Sequence, residues 1–198
     1  SDVYKRQVNA GYRNGIKSTD DCIIVSGTLN ITSTEDGIIG KDLCGIVAGD
    51  ININAGSDGI KSTYDTDTTK GNVIIEGGNI TIKASNDGIQ AENILVINDG
   101  TINIKTNNGA ADTTQTHTDN MYMGRGGFGF NNNKTTTTTD DTAESRKGIK
   151  AGNMLIINDG DITIDSDDDS VHCNSVIYIY GGTCLLYTSP SPRDLSTS

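Results

Sequence analysis

Carboxylates recur in this chain at one fixed place. Asp36, Asp58 and Asp87 each stand directly before a Gly-Ile pair, Asp168 and Asp169 open a related segment near the end, and Asn14 takes the same position at the front. If these positions stack, neighbouring carboxylates lie about 4.8 Å apart and repel by roughly 3 to 4 kcal/mol at an effective dielectric near 20. Solvent or a cation has to relieve that repulsion. Hard oxygen donors from Asp, Asn and turn carbonyls suit Ca²⁺, which tolerates irregular coordination. Asp36, Asp58, Asp87, Asp168 and Asp169 are therefore the candidate metal ligands. No EF-hand spacing is present, so any such site is assembled across repeats. The competing reading is turn chemistry, with Asp or Asn bonding to its own backbone and Gly supplying positive φ.

Other chemistry is sparse. His117 lies in a Thr-, Asn- and Gly-rich stretch and His172 at an outward position, with no Ser or Cys partner at a spacing that suggests a hydrolytic triad. Formal net charge is −11, which disfavours nucleic acid, whose phosphates require clustered Lys and Arg. An anionic membrane surface is disfavoured for the same reason. No run of apolar residues is long enough to span a bilayer.

The residues that would position the carboxylates form a repeat. Asn14-Gly15-Ile16-Lys17-Ser18 returns as Asp36-Gly37-Ile38, Asp58-Gly59-Ile60-Lys61-Ser62, Asn86-Asp87-Gly88-Ile89-Gln90-Ala91, Lys147-Gly148-Ile149-Lys150-Ala151 and Asp169-Ser170-Val171-His172-Cys173. The unit is 22 residues, with insertions near Tyr64 to Lys70 and over 110–146. Such a period marks a solenoid, in which each unit buries its apolar face against its neighbours.

Each coil predicts three short strands by period-two alternation. The first carries Ile16, Ile38, Ile60, Ile89, Ile149 and Val171; the second pairs such as Cys22 with Ile24 and Leu95 with Ile97; the third pairs such as Ile51 with Ile53. Two aliphatics per side at an uneven beat fit a right-handed parallel β-helix better than a left-handed hexapeptide helix. The fold class is thus all-β. Cys22 and Cys44 fall in one inward ladder and are expected as buried free thiols, because adjacent parallel strands hold side chains side by side rather than bridged. The outward side of the third strand, with Asn30, Asn52, Thr81, Asn103 and Thr163 flanked by Thr32, Asn54, Lys83, Lys105 and Asp165, is polar and rich in amides and hydroxyls. It reads equally as a solvated face or a sugar-binding one. Lys83, Lys105, Asp50 and Asp161 interrupt it, which argues against ice binding.

The ends read differently. Residues 1–7 (SDVYKRQ) and the tail 184–198, beginning CLLYTSPSPRD, read as translations of a transposase-type sequencing adapter. The native segment is expected over 8–183, as a piece of a longer reading frame with a signal peptide upstream and further coils on at least one side. The low-complexity stretch 110–146 is expected as a disordered loop.

Three stretches together carry a family resemblance: Ser85-Asn-Asp-Gly-Ile-Gln-Ala91, Glu144-Ser-Arg-Lys-Gly-Ile-Lys-Ala151 after a Gly-rich loop, and Asp165-Ser-Asp-Asp-Asp-Ser-Val-His-Cys-Asn174. In these the chain resembles the bacterial carbohydrate-binding domain proteins of clostridial type, secreted right-handed parallel β-helices related to pectate lyases. Ser170-Val171 and Cys173 depart from the commoner pattern. The resemblance implies calcium-dependent, non-catalytic binding of cell-wall polysaccharide, acidic pectin-like chains especially, outside the cell or at its surface. A uronate lyase and a structural adhesin stalk are the alternatives. Lys61, Lys150 and His172, outward beside the acidic ladder, are the candidate sugar contacts. A monomer within a longer chain is expected, with polysaccharide as its partner.

Overall fold

Alternating aliphatic and polar residues, punctuated by glycine, give strands too short to stand alone, so each must pair with its copy in the next coil. In the computed structural model, which describes residues 5–10, 13–111 and 145–188, they do so in register. The strands are β1 (Lys5–Ala10), β2 (Ile16–Ser18), β3 (Asp21–Ile24), β4 (Thr28–Ser33), β5 (Ile38–Gly40), β6 (Leu43–Ile46), β7 (Asp50–Ala55), β8 (Ile60–Ser62), β9 (Asn72–Ile75) and β10 (Asn79–Ala84). They continue with β11 (Ile89–Ala91), β12 (Ile94–Ile97), β13 (Thr101–Thr106), β14 (Ile149–Ala151), β15 (Met154–Ile157), β16 (Asp161–Ser166), β17 (Val171–Cys173), β18 (Val176–Ile179) and β19 (Thr183–Thr188).

Three parallel sheets result. The first strands stack as β2-β5-β8-β11-β14-β17, the second as β3-β6-β9-β12-β15-β18, and the third as β1-β4-β7-β10-β13-β16-β19. This is a right-handed parallel β-helix of three-strand coils. The expected inward pairs are the core: Ile38, Ile46, Ile51, Ile60, Ile75, Ile80, Ile89, Leu95, Ile97 and Ile102 are fully buried. Each such side chain contributes about 1.5 to 3 kcal/mol on leaving water. Strand pairing runs past Val8 and Thr183 into Lys5 and Thr188; pairing says where those residues sit and not where they came from. Most of 110–146 lies outside the described residues. No helix among the described residues is long and apolar enough to cross a membrane.

Two glycine ladders serve two different ends. At Gly27, Gly49, Gly78, Gly100, Gly160 and Gly182 the backbone turns with φ between 87° and 124°, a region that glycine occupies without strain. The glycines after the ladder carboxylates are not positive-φ residues, which corrects the turn reading of Asp-Gly. At Gly37 an added Cβ would stand 2.4 Å from Ile53 Cγ2 and 2.5 Å from the Gly59 carbonyl oxygen. Close stacking of the coils selects glycine there.

The insertion at Tyr64 to Lys70 is held by side-chain contacts. The Lys41 and Lys70 ammonium groups lie 4.9 and 4.8 Å from the Tyr64 ring centroid, and Lys70 also pairs with Asp42 at 2.7 Å. Two cations held on one ring tie the turn to the preceding coil.

Candidate functional site

The acidic residues do stack, and the stack is a structural spine. Asp36 N–H donates to Asn14 Oδ1 at 3.1 Å, Asp58 N–H to Asp36 Oδ1 at 3.0 Å, Asp87 N–H to Asp58 Oδ1 at 2.9 Å and Lys147 N–H to Asp87 Oδ1 at 2.7 Å. Each side chain thus satisfies the backbone of the next coil and not its own. The second carboxylate oxygens meet lysine: Asp58 Oδ2 lies 2.5 Å from Lys61 Nζ, and Asp87 Oδ2 lies 3.4 Å from Lys150 Nζ. Asp58 is 3% exposed and Asp87 1%. Burial is the main force on Asp58 and raises its pKa; Lys61 opposes this, and the Asp87 and Asp36 charges add to it. Burial pulls the Lys61 ammonium down, but its hydrogen bond to Asp58 and the three carboxylates outweigh that and leave its pKa raised.

The ladder is therefore not a row of open carboxylates. Lys147 occupies the rung between Asp87 and Asp169, and its ammonium bridges Asp168 and Asp169. Asp169 also meets His172 Nδ1 at 3.0 Å, and His172 Nε2 lies 3.1 Å from Asn174 Oδ1. Among the described residues no three His, Cys, Asp or Glu side chains are grouped to hold a metal ion. Asp58 and Asp87, with both oxygens committed, do not fit a Ca²⁺ site. The charge repulsion anticipated in the stack is relieved by lysine and by backbone N–H donors.

The three outward faces differ in chemistry. On the first sheet, register places Lys17, Ile39, Lys61, Gln90, Lys150 and His172 in one row. Lys61, Lys150 and His172 are thus brought together as expected, but each is held by a ladder carboxylate. The second sheet is apolar on its outer side, with Ile74, Val96, Ile156 and Tyr178 in one row beside Ile94 and Met154. That apolar side is legible in the runs Val73-Ile74-Ile75 and Ile94-Leu95-Val96-Ile97, which lack alternation.

The third sheet presents the long, polar face. Its central row is Asn30, Asn52, Thr81, Asn103 and Thr163, and its flanking row Thr32, Asn54, Lys83, Lys105 and Asp165. Asn52 Nδ2 donates to Asn30 Oδ1 at 3.2 Å, and Lys105 pairs with Asp165 at 2.8 Å. Asn54, Thr81 and Asn103 are exposed on this side. A shallow groove lined by Asn30, Thr32, Asn52, Asn54, Thr81 and Lys83 follows the rows across three strands. Amides and hydroxyls both donate and accept, which is the complement of a sugar hydroxyl.

No curated protein and no solved structure matches the chain. The family described as carbohydrate-binding domain-containing protein matches it over residues 6–192. With nearly the whole solenoid inside that match and a hydroxyl- and amide-lined face along one side, the chain belongs to the carbohydrate-binding domain-containing protein family.

Proposed function

We propose that this chain is a non-catalytic, extracellular module that binds cell-wall polysaccharide along the outward face of its third sheet, with an acidic, pectin-like chain as the preferred ligand. The observation that carries this reading is the in-register row of Asn52, Thr81 and Asn103, which presents an amide or a hydroxyl at each coil. A periodic ligand laid along the solenoid axis meets an amide or a hydroxyl that can donate and accept at every step. Family membership supports carbohydrate as the ligand class. The acidic preference rests on Lys83 and Lys105, register partners on this face. A calcium requirement is a second, separable proposal, resting on the formal charge of −11 and not on the Asp58–Asp87 ladder.

Affinity electrophoresis in gels containing polygalacturonate or a neutral glucan tests the reading. The triple variant Asn52→Ala, Thr81→Ala, Asn103→Ala is expected to lose tenfold or more in affinity, and Lys83→Gln with Lys105→Gln to weaken the acidic ligand alone. Unchanged binding by the triple variant excludes this face. Ultraviolet absorbance from unsaturated uronate product would make the protein a lyase. Repeating the gels in chelator, then with Ca²⁺ restored, decides the metal requirement.

A further inference from the structure

The first two complete coils differ from the rest at one inward position of the second strand. Later coils carry Val73, Leu95, Leu155 and Ile177 there, and the first two carry Cys22 and Cys44. These cysteines are direct register partners on the adjacent parallel strands β3 and β6. Both are buried, free cysteines and belong to one core cluster. Cys173 and Cys184 lie on the first and third sheets, away from this pair.

We propose that Cys22 and Cys44 form a redox-controlled cross-link, an intercoil disulfide that closes when the protein meets a low-molecular-weight disulfide. Two conditions meet at this pair. Adjacent strands hold paired Cα atoms about 4.8 Å apart, inside the roughly 4.4 to 6.8 Å that a disulfide spans. Both side chains face the same core from directly paired positions, so closure needs side-chain rotation and not strand movement.

The two thiols are also unequal. The neighbouring Cys44 thiol lowers the Cys22 thiol to about 7, against the opposing effect of burial. The Cys22 thiol, with burial, raises Cys44. Cys22, at 9% exposure against 0% for Cys44, is the one that solvent reaches and is the first nucleophile, attacking as the thiolate. It attacks one sulfur of the small disulfide, forming a mixed disulfide and releasing one small thiolate, which takes up a proton. Cys44 then gives its proton to solvent and attacks the Cys22 sulfur, displacing the second small thiol. The protein pair loses two hydrogens, and the small disulfide is reduced to two thiols. Access is through Cys22, the less buried of the two at 9% exposure, by local opening. The bond would pin the first complete coil to the second. The proposal draws on the extracellular setting only for where the oxidant is met, and the test supplies the oxidant directly.

The experiment uses the full chain with Cys173→Ser and Cys184→Ser, incubated with oxidised glutathione and then alkylated in denaturant. Expected are a mass lighter by two hydrogens, a peptide linking Cys22 to Cys44, and a Tm roughly 6 to 10 °C above that of the dithiothreitol-treated protein. Cys22→Val or Cys44→Val, which copy the residue of the third coil, should fold and lose the redox dependence of Tm. Alkylation of both thiols after oxidation, or a Cys22–glutathione adduct that never resolves, overturns the proposal.

Discussion

Asp58 Oδ1 accepts the backbone N–H of Asp87 at 2.9 Å while Asp58 Oδ2 meets Lys61 Nζ at 2.5 Å, so a single side chain both ties one coil to the next and neutralises itself. The first of these tasks needs an acceptor, not a charge, as Asn14 shows at the same rung toward Asp36. Asp58→Asn is therefore expected to fold with stability near that of the parent. Asp58→Ala leaves the buried Asp87 N–H without a partner and should lose about 1 to 3 kcal/mol. Urea unfolding of the two variants checks this, and equal losses in both would show that the charge and not the acceptor matters.

The same pair sets a pH dependence with a definite sign. The folded Asp58 carboxyl is raised above its ordinary 3.8, so the folded state binds its proton more tightly. Its stabilising contribution is complete below that value and is lost as pH rises through the raised folded value. Lys61 is raised above 10.5, so its contribution persists up to that pH and is lost above it. Asp58→Asn should flatten the acid-side slope and Lys61→Met the alkaline one, read as unfolding free energy against pH. An unchanged acid limb in Asp58→Asn would assign that slope to other carboxylates.

Glycine-to-alanine exchanges should separate stacking from turn chemistry. Gly37→Ala drives a methyl within 2.4 Å of Ile53 Cγ2, and overpacking of this kind costs typically about 1 to 3 kcal/mol. At Gly77 the nearest atom to an added Cβ is the Val47 oxygen at 3.6 Å. Gly77→Ala should be neutral or stabilise by about 0.4 to 1 kcal/mol through the unfolded chain. Thermal unfolding reads both, and tolerance at Gly37 would mean that the coils can part.

Much of this architecture is legible in the residues because a solenoid repeats its own solution. Ile38, Ile60 and Ile89 each stand two places after a ladder carboxylate and are all buried, so the three-strand coil follows from the repeated pattern. What the spacing does not carry is the direction of a side chain's second bond. Asp-Gly in sequence looks like a local turn, yet the Asp58 carboxylate reaches a backbone N–H that is 29 residues away. The lysines that close the stack are likewise nearby in sequence only for Asp58 and Lys61; Lys150 reaches Asp87 across the long insertion. The Lys41–Tyr64–Lys70 clamp escapes sequence reading because its residues belong to neighbouring coils. The polar row of the third strand was readable, and its groove follows from six-residue strands in register.

Lys61 and Lys150 offer the sharpest contrast between stability and ligand contact. Their partners are nearly sealed from solvent, with Asp58 and Asp87 side chains 5% and 2% exposed, whereas the lysines themselves are about a quarter exposed. Removing an ammonium leaves a buried carboxylate with fewer compensating interactions, and breaking a buried pair costs more than breaking a surface one. Lys61→Met should therefore lose about 2 kcal/mol, and Lys150→Met less, because its contact is 3.4 Å rather than 2.5 Å. If the third sheet is the binding face, both variants should hold polygalacturonate as the parent does at temperatures where they stay folded. A tenfold loss of affinity in folded Lys61→Met, with the Asn52, Thr81 and Asn103 triple variant unaffected, would move the site to the first sheet.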